Sequence, residues 1–294
     1  MTKKREIING EECFLISGAR FYSISDTFEC GQCFRAEKTK DENGYAEYAT
    51  VIGNKILRIG QKTPGELYVF DTDEDELIST VIPYLSIDRD YEAIRADINS
   101  RTDSDWLKKA GECARGIAIL RQEPWEALLS FIISQNNNIP RIKSLIRALC
   151  ERLGEPIDTS DMLAHGARAT EYAFPTPEAI CAAGVDVLRE LKTGFRAKYI
   201  YDAACRVCDG RLSFSEIYAA PTAEASAMLE QISGVGPKVA ACTLLFGFGK
   251  LDAFPVDVWI RRVIEKYGFD PAALGDFAGL AQQYLFYAER EESK

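Results

Sequence analysis

Ile232-Ser233-Gly234-Val235-Gly236-Pro237-Lys238 is the stretch on which the reading of this chain turns. Thr222–Gln231 before it and Pro237–Phe246 after it both have helical character, with Pro237 at the first helical position, where its missing N–H is not needed. The join is short and carries two glycines, so residues 222–247 read as a helix-hairpin-helix. Gly234 and Gly236 leave the hairpin amides bare enough for a phosphate backbone to approach. The carbonyls of Ile232 and Val235 are candidate ligands for a K+ or Na+ ion bridging to that phosphate. A tight turn in an ordinary helical bundle would use the same glycines. Lys238 falls in the first turn of the second helix, where the positive end of the helix dipole disfavours an ammonium and favours the neutral amine a nucleophile needs. Asp257, in Phe254-Pro255-Val256-Asp257, opens the next helix, Val258–Tyr267. A helix cap is its plain role, and a capped carboxylate is also held still and ionised for catalysis. A surface lysine paired to phosphate is the plain role for Lys238.

Upstream the periodicity changes twice. From Cys13 to Phe70 apolar and polar residues alternate with period two, broken at Asp41-Glu42-Asn43-Gly44 and at Gly53-Asn54, which read as hairpin turns. Strands are expected over Cys33–Lys38, Tyr45–Ile52, Lys55–Gln61 and Glu66–Phe70, forming an antiparallel meander. After the acidic stretch Asp71 to Glu76 the spacing becomes helical, with helices over Trp125–Ser134, Ile139–Leu153, Pro177–Leu191 and Arg196–Cys208, and the second part is expected to be all helix. The order implies an α+β fold: an antiparallel sheet domain with flanking helices over residues 1–100, then a helical body over residues 101–294.

A net charge of -10 over 294 residues argues against a protein that coats nucleic acid by bulk electrostatics. It leaves room for DNA binding through local contacts. Arg141, Arg189, Lys192, Arg196, Lys198, Lys238, Arg261 and Arg262 are expected to converge on one side. No export or organelle signal is evident and no segment approaches the roughly 20 apolar residues of a membrane span, so a cytoplasmic monomer is expected, nucleoid-associated in a bacterium. Nine cysteines, an odd number, fit reduced thiols better than a disulfide framework. The pairs Cys30/Cys33 and Cys205/Cys208 have metal-like spacing but no further ligands close by, and read as small buried apolar residues. No four-cysteine group follows Asp257, so no iron-sulfur cluster is expected.

With Pro255-Val256-Asp257, the run Ser233-Gly234-Val235-Gly236-Pro237-Lys238-Val239-Ala240 resembles the helix-hairpin-helix base-excision DNA glycosylases. Asn136-Asn137-Asn138-Ile139-Pro140-Arg141 and Gly31-Gln32-Cys33-Phe34-Arg35 are similar to motifs of the 8-oxoguanine DNA glycosylase/lyase branch. Gly194-Phe195-Arg196-Ala197-Lys198-Tyr199 and Gly279-Leu280-Ala281-Gln282-Gln283-Tyr284-Leu285-Phe286 fit the same branch, so the likeness runs from about residue 28 to 288. The resemblance implies a TBP-like antiparallel sheet domain packed against two helical domains, acting on duplex DNA that contains 8-oxoguanine opposite cytosine, with no required cofactor.

Carried over by the resemblance, Lys238 is the Schiff-base nucleophile and Asp257 its catalytic partner. Gly31 offers its carbonyl to the N7 hydrogen that 8-oxoguanine has and guanine lacks. Cys242 and Phe286 sandwich the extruded base and Gln282 meets its pairing edge, while Asn136, Arg141 and Arg196 serve the orphaned cytosine and Phe195 wedges into the stack. Two positions depart from the family pattern: Trp259 stands where a histidine is expected, and Phe195 stands for a tyrosine. The lone histidine, His165, falls outside every motif and is expected to be structural. An alkylated-purine glycosylase on the same scaffold would activate water and need no lysine. A non-catalytic hairpin module would bind duplex and release no base.

Overall fold

Seven residues at the amino terminus, β1 (Thr2–Ile8), pair with β2 (Glu11–Ser17) along the edge of a six-stranded antiparallel sheet. The structure is a computed structural model that describes residues 1–8, 10–159 and 171–292, and His165 lies outside them. The other strands are β3 (Glu37–Glu42), β4 (Tyr45–Ile52), β5 (Lys55–Gln61) and β6 (Glu66–Phe70), in the spatial order β1-β2-β6-β5-β4-β3. Asn43 and Gly44, at φ 53° and 78°, take the left-handed pair that a two-residue hairpin demands, and so join β3 to β4. Alternation sends Phe14, Ile16, Ile59, Leu67 and Val69 to one core, which Ala118 and Leu120 join from far along the chain.

Two expectations for this sheet are corrected. β1 was not foreseen, because its side chains are charged and mostly exposed on an edge with no apolar face to alternate. β3 begins at Glu37 rather than Cys33, because Cys33 and Phe34 turn inward, Phe34 meeting Phe131 edge-on at 5.7 Å.

The helices in chain order are α1 (Ile24–Glu29), α2 (Glu74–Glu76), α3 (Ile82–Leu85), α4 (Tyr91–Ser100), α5 (Asp105–Cys113), α6 (Pro124–Ser134) and α7 (Ile139–Leu153). Then follow α8 (Pro177–Glu190), α9 (Arg196–Cys208), α10 (Phe214–Ala219), α11 (Thr222–Leu229), α12 (Pro237–Phe246), α13 (Val258–Tyr267) and α14 (Ala278–Glu292). Nine of the 11 residues of α6 are buried, and it lies at the centre of the helical core, where each fully buried Leu or Ile contributes about 2 kcal/mol. The second part is not all helix: Pro156–Ile157 and Glu171–Tyr172 form a two-stranded ladder, β7 and β8. Nor is α8 continuous, since Gly184 at φ 75° and ψ 173° breaks it. Among the described residues no helix is long and apolar enough to cross a membrane.

The loop after α1 belongs to both cores. Cys30 and Phe34 pack into the helical core, whereas Phe28 and Cys33 pack under the sheet. Gln32, fully buried between them, donates from Nε2 to the carbonyls of Thr27 (2.9 Å) and Ala118 (2.8 Å) and accepts at Oε1 from the Leu120 amide (2.9 Å). Its own carbonyl accepts from Gln122 Nε2 at 2.7 Å, and the Gln122 amide donates to the Phe246 carbonyl at the end of α12 (2.9 Å). Two hydrogen bonds thus connect this loop to the helix that begins at the hairpin.

Candidate active site

Lys238, Cys242 and Phe246 are four residues apart along α12, so one face of the helix presents all three to the same cavity. The cavity, of about 60 Å³, is also lined by Cys30, Gly31, Phe131, Pro255, Asp257, Gln282, Gln283 and Phe286. The six residues named for catalysis and lesion binding therefore meet in one place, although they are scattered from residue 31 to residue 286. The Lys238 ammonium nitrogen stands 5.4 Å from the centre of the Phe131 ring. Lys238 also hydrogen-bonds the Cys242 thiol; burial pushes that thiol up, and the neighbouring amine opposes the shift.

Asp257 caps α13, with φ −95° and ψ −173° and Oδ1 accepting the Ile260 amide at 2.8 Å. The same carboxylate borders the cavity, so one residue starts a helix and faces Lys238's chamber. Gln282 and Phe286, four residues apart on α14, line the same cavity. Gly31 adopts φ 86°, and a Cβ there would lie 3.8 Å from both Phe286 and Ile139. The left-handed φ would strain any side chain there, while its Cβ would make only ordinary contact with the two neighbours.

The hairpin is braced from α9. Gly234 has φ 78°, and a Cβ on it would come within 2.3 Å of the Tyr199 ring, so the position is closed to any side chain. Asp202 Oδ2 accepts the Ser233 amide at 2.8 Å and the Arg206 Nε at 3.0 Å. Burial pushes the Asp202 carboxyl up, but these donors outweigh it and hold the group below its ordinary value of 3.8. Val235 donates its amide to the Ile232 carbonyl at 3.0 Å, closing the turn. Gly236 is the residue before the first turn of α12.

A second cluster surrounds the loop between α6 and α7. Asn136 is exposed with φ 51°, and Asn138 caps α7 by accepting the Arg141 amide at 2.9 Å. Arg141, exposed, reaches the Lys192 carbonyl at 3.2 Å. Arg196 is buried: Nε donates to the Gln135 carbonyl at 2.9 Å and Nη1 to the Thr193 carbonyl at 3.4 Å, so it ties this loop to the start of α9. Its guanidinium lies 4.4 Å from the ring of Phe195, which is 51% exposed. Of the cations expected on one side, Arg141, Lys192 and Arg196 are adjacent and Arg189 pairs with Asp186 at 2.7 Å. Trp259 is half exposed beside Asp257, with the Arg262 guanidinium 5.5 Å from its ring.

Three contributors escaped the sequence reading. Asp202 and Tyr199 lie on α9, and their roles rest on contacts with the hairpin that the chain's spacing does not show. Gln283 follows the recognised Gln282; its Nε2 donates to Gln282 Oε1 at 3.0 Å, and its own buried Oε1 has no partner. The Cys30 and Cys33 thiols donate to the Thr27 and Phe28 carbonyls, and burial pushes both up, Cys30 to about 11. Among the described residues no group of three or more His, Cys, Asp and Glu is placed to hold a metal ion.

The family described as 8-oxoguanine DNA glycosylase, N-terminal domain, matches residues 15–128, and the HhH-GPD superfamily base excision DNA repair protein matches residues 129–273. The Clostridium acetobutylicum 8-oxoguanine glycosylase/lyase, solved with double-stranded DNA containing cytosine opposite 8-oxoG, superposes with a TM-score of 0.87 at 31% identity, over 100% of this chain and 99% of that one. MBOgg1, solved with a low-affinity DNA ligand, gives 0.86 at 35% identity over 100% of both chains. The Saccharomyces cerevisiae N-glycosylase/DNA lyase is 29% identical over 83% of this chain and 67% of its own length. The 3-methyladenine DNA glycosylase of Archaeoglobus fulgidus, at 19% identity and a TM-score of 0.65, shares the fold alone. The chain belongs to the 8-oxoguanine DNA glycosylase family, within the HhH-GPD superfamily of base excision DNA repair proteins.

Proposed function

We propose that this protein excises 8-oxoguanine opposite cytosine from duplex DNA through a Schiff base at Lys238, then cuts the strand by β-elimination. The observation that carries the reading is the single cavity shared by Gly31, Lys238, Cys242, Asp257, Gln282 and Phe286. The lesion stacks between Cys242 and Phe286, Gln282 meets its pairing edge, and the Gly31 carbonyl accepts its N7 hydrogen. Guanine would set a lone pair against that carbonyl and leave a buried acceptor unpaired, at roughly 1–3 kcal/mol.

The Lys238 amine attacks C1′ as the base departs, and Asp257 stabilises the positive charge that develops on the sugar. Loss of a proton from nitrogen leaves an aminal at C1′; its C1′–O4′ bond then breaks as O4′ takes up a proton, opening the ring to the protonated imine, which acidifies C2′ so that loss of a C2′ proton expels the 3′ phosphate. On the opposite strand, Phe195 fills the gap and Asn136 and Arg141 meet the orphaned cytosine. Arg196 exchanges its bond to the Gln135 carbonyl to join them. The amides of the Gly234–Gly236 turn hold a phosphate, with the Ile232 and Val235 carbonyls as ligands for a monovalent cation beside it. The reaction calls for no other cofactor, and the protein works as a cytoplasmic monomer.

Borohydride trapping tests the mechanism on a duplex with 8-oxoguanine opposite cytosine. Wild type gives a covalent protein–DNA adduct and Lys238→Gln gives none. An adduct with the variant, or faster release of methylated purines than of 8-oxoguanine, would point to a different nucleophile or to the alkylated-purine reading.

A further inference from the structure

The pair Cys205/Cys208, expected to be small buried apolar residues, is not buried: Cys205 is half-buried and Cys208 is exposed. They occupy the last turn of α9, and a third cysteine faces them from α8. The Cys181 Sγ lies 3.5 Å from the Cys205 Sγ and also hydrogen-bonds the Cys208 thiol. The Tyr201 hydroxyl, one turn earlier on α9, hydrogen-bonds Cys205. Six other cysteines are distributed singly or buried, so this is where thiols meet at a surface. None of the three lines the lesion cavity.

We propose that Cys181, Cys205 and Cys208 form a reversible oxidation site, with a Cys181–Cys205 disulfide as the oxidised form and exposed Cys208 as the thiol through which oxidant enters. The proposal is independent of the DNA chemistry. With a hydroperoxide, the Cys208 thiolate attacks the O–O bond, forming a sulfenic acid and releasing an alcohol, or water from hydrogen peroxide. Cys181 Sγ attacks that sulfur, releasing water and forming a Cys181–Cys208 disulfide. Cys205 Sγ then attacks Cys181, and Cys208 leaves as a thiol. Overall, two thiols and one hydroperoxide become one disulfide, one alcohol and one water.

Geometry favours the pair on different helices. Cys205 and Cys208 share one turn of one helix, whereas a Cys181–Cys205 bond joins two helices and needs the sulfurs to close from 3.5 Å to bonding distance, a small side-chain movement. Cys181 lies one turn before the break at Gly184, which interrupts the α8 backbone between it and the rest of the helix. The bond would cross-link residues 24 apart, close the α8–α9 hairpin and pin the arm that carries Phe195 at its tip. A metal is the competing occupant of three thiols, but these are not spaced as a metal site.

The test uses the intact, fully reduced protein with a small excess of hydrogen peroxide, followed by non-reducing digestion and mass mapping. The expected product is a peptide pair joined through Cys181 and Cys205, two hydrogens lighter, with the Tm raised by about 5 °C and restored by dithiothreitol. Cys208→Ser should give the same linked pair about tenfold more slowly. Cys181→Ser should lose both the link and the Tm rise while excising 8-oxoguanine at the wild-type rate. Cys208 driven to the sulfonic acid while Cys181 stays a free thiol would overturn the proposal. So would one tightly bound zinc ion per chain that shields all three thiols from peroxide.

Discussion

Replacing Asp257 by Asn and by Ala separates the two duties that this residue combines. Asn retains an oxygen for the Ile260 amide, now held at 2.8 Å, and loses only the charge at the head of α13, worth about 0.5 kcal/mol. Ala removes the cap as well, for a total of about 1.5 kcal/mol. With an unfolding entropy near 2.1 cal/mol/K per residue, 294 residues give about 0.6 kcal/mol/K, so Asn should lower the Tm by about 1 °C and Ala by about 2–3 °C. Neither loss unfolds the protein. Excision should fall by about 10²–10³ in both variants, because either one removes the carboxylate that faces the charge on the sugar. Single-turnover release of 8-oxoguanine measures the chemistry, calorimetry the stability, and fluorescence anisotropy confirms that duplex binding persists. Excision by Asp257→Asn within tenfold of wild type would refute the catalytic assignment. A Tm for Asn as low as that for Ala would refute the capping account.

Gly234→Ala should destabilise the protein by about 2–3 kcal/mol, since the methyl meets Tyr199 and the φ of 78° is left-handed; duplex affinity measured by anisotropy should drop at least about tenfold. Unchanged affinity would mean that the hairpin does not hold DNA. Asp202→Asn should cost about 1 kcal/mol at pH 7, the worth of its two hydrogen bonds discounted for partial exposure. Because the folded carboxyl is held below 3.8, this contribution is present above that value and disappears as pH falls through the lower folded one; a gap between wild type and variant that is independent of pH contradicts the bracing role. Gln283→Leu leaves Gln282 Oε1 without its donor and should reduce kcat/KM on 8-oxoguanine by about tenfold with no loss of Tm, and full activity would show that Gln282 needs no such support.

The parts of this fold that were legible in the sequence are those where one local rule suffices. β4, β5 and β6 are rich in β-branched and aromatic residues and are punctuated by Asn-Gly and Gly-Asn; α7, α9, α12 and α13 carry strong periodicity or a proline, asparagine or aspartate at the start. β1 was not legible, because pairing with β2 supplies the reason for a strand that its charged side chains do not announce. Gly184 falls inside the helix expected over Pro177–Leu191, and its left-handed φ is a tertiary fact. For the site, Lys238 and Asp257 stood out through local chemistry, and Gly31, Gln282 and Phe286 through motif resemblance. Asp202, Gln283 and Cys181 act through partners on other elements or through an orphaned atom, and no spacing in the chain encodes that.

The hydrogen bonds of Gln32 bear on how such enzymes can be recombined. The loop that carries Gly31 is registered against residues 118–122 and, through Gln122, against the last turn of α12. A chimera that transplants the loop alone would bring the recognition carbonyl without its alignment to the amine. Moved together with residues 116–122, it should travel as a cassette and keep the donor's choice of base. On the proposed role of Gly31, the unit of inheritance for specificity is thus two segments some ninety residues apart, linked by the side chains of Gln32 and Gln122.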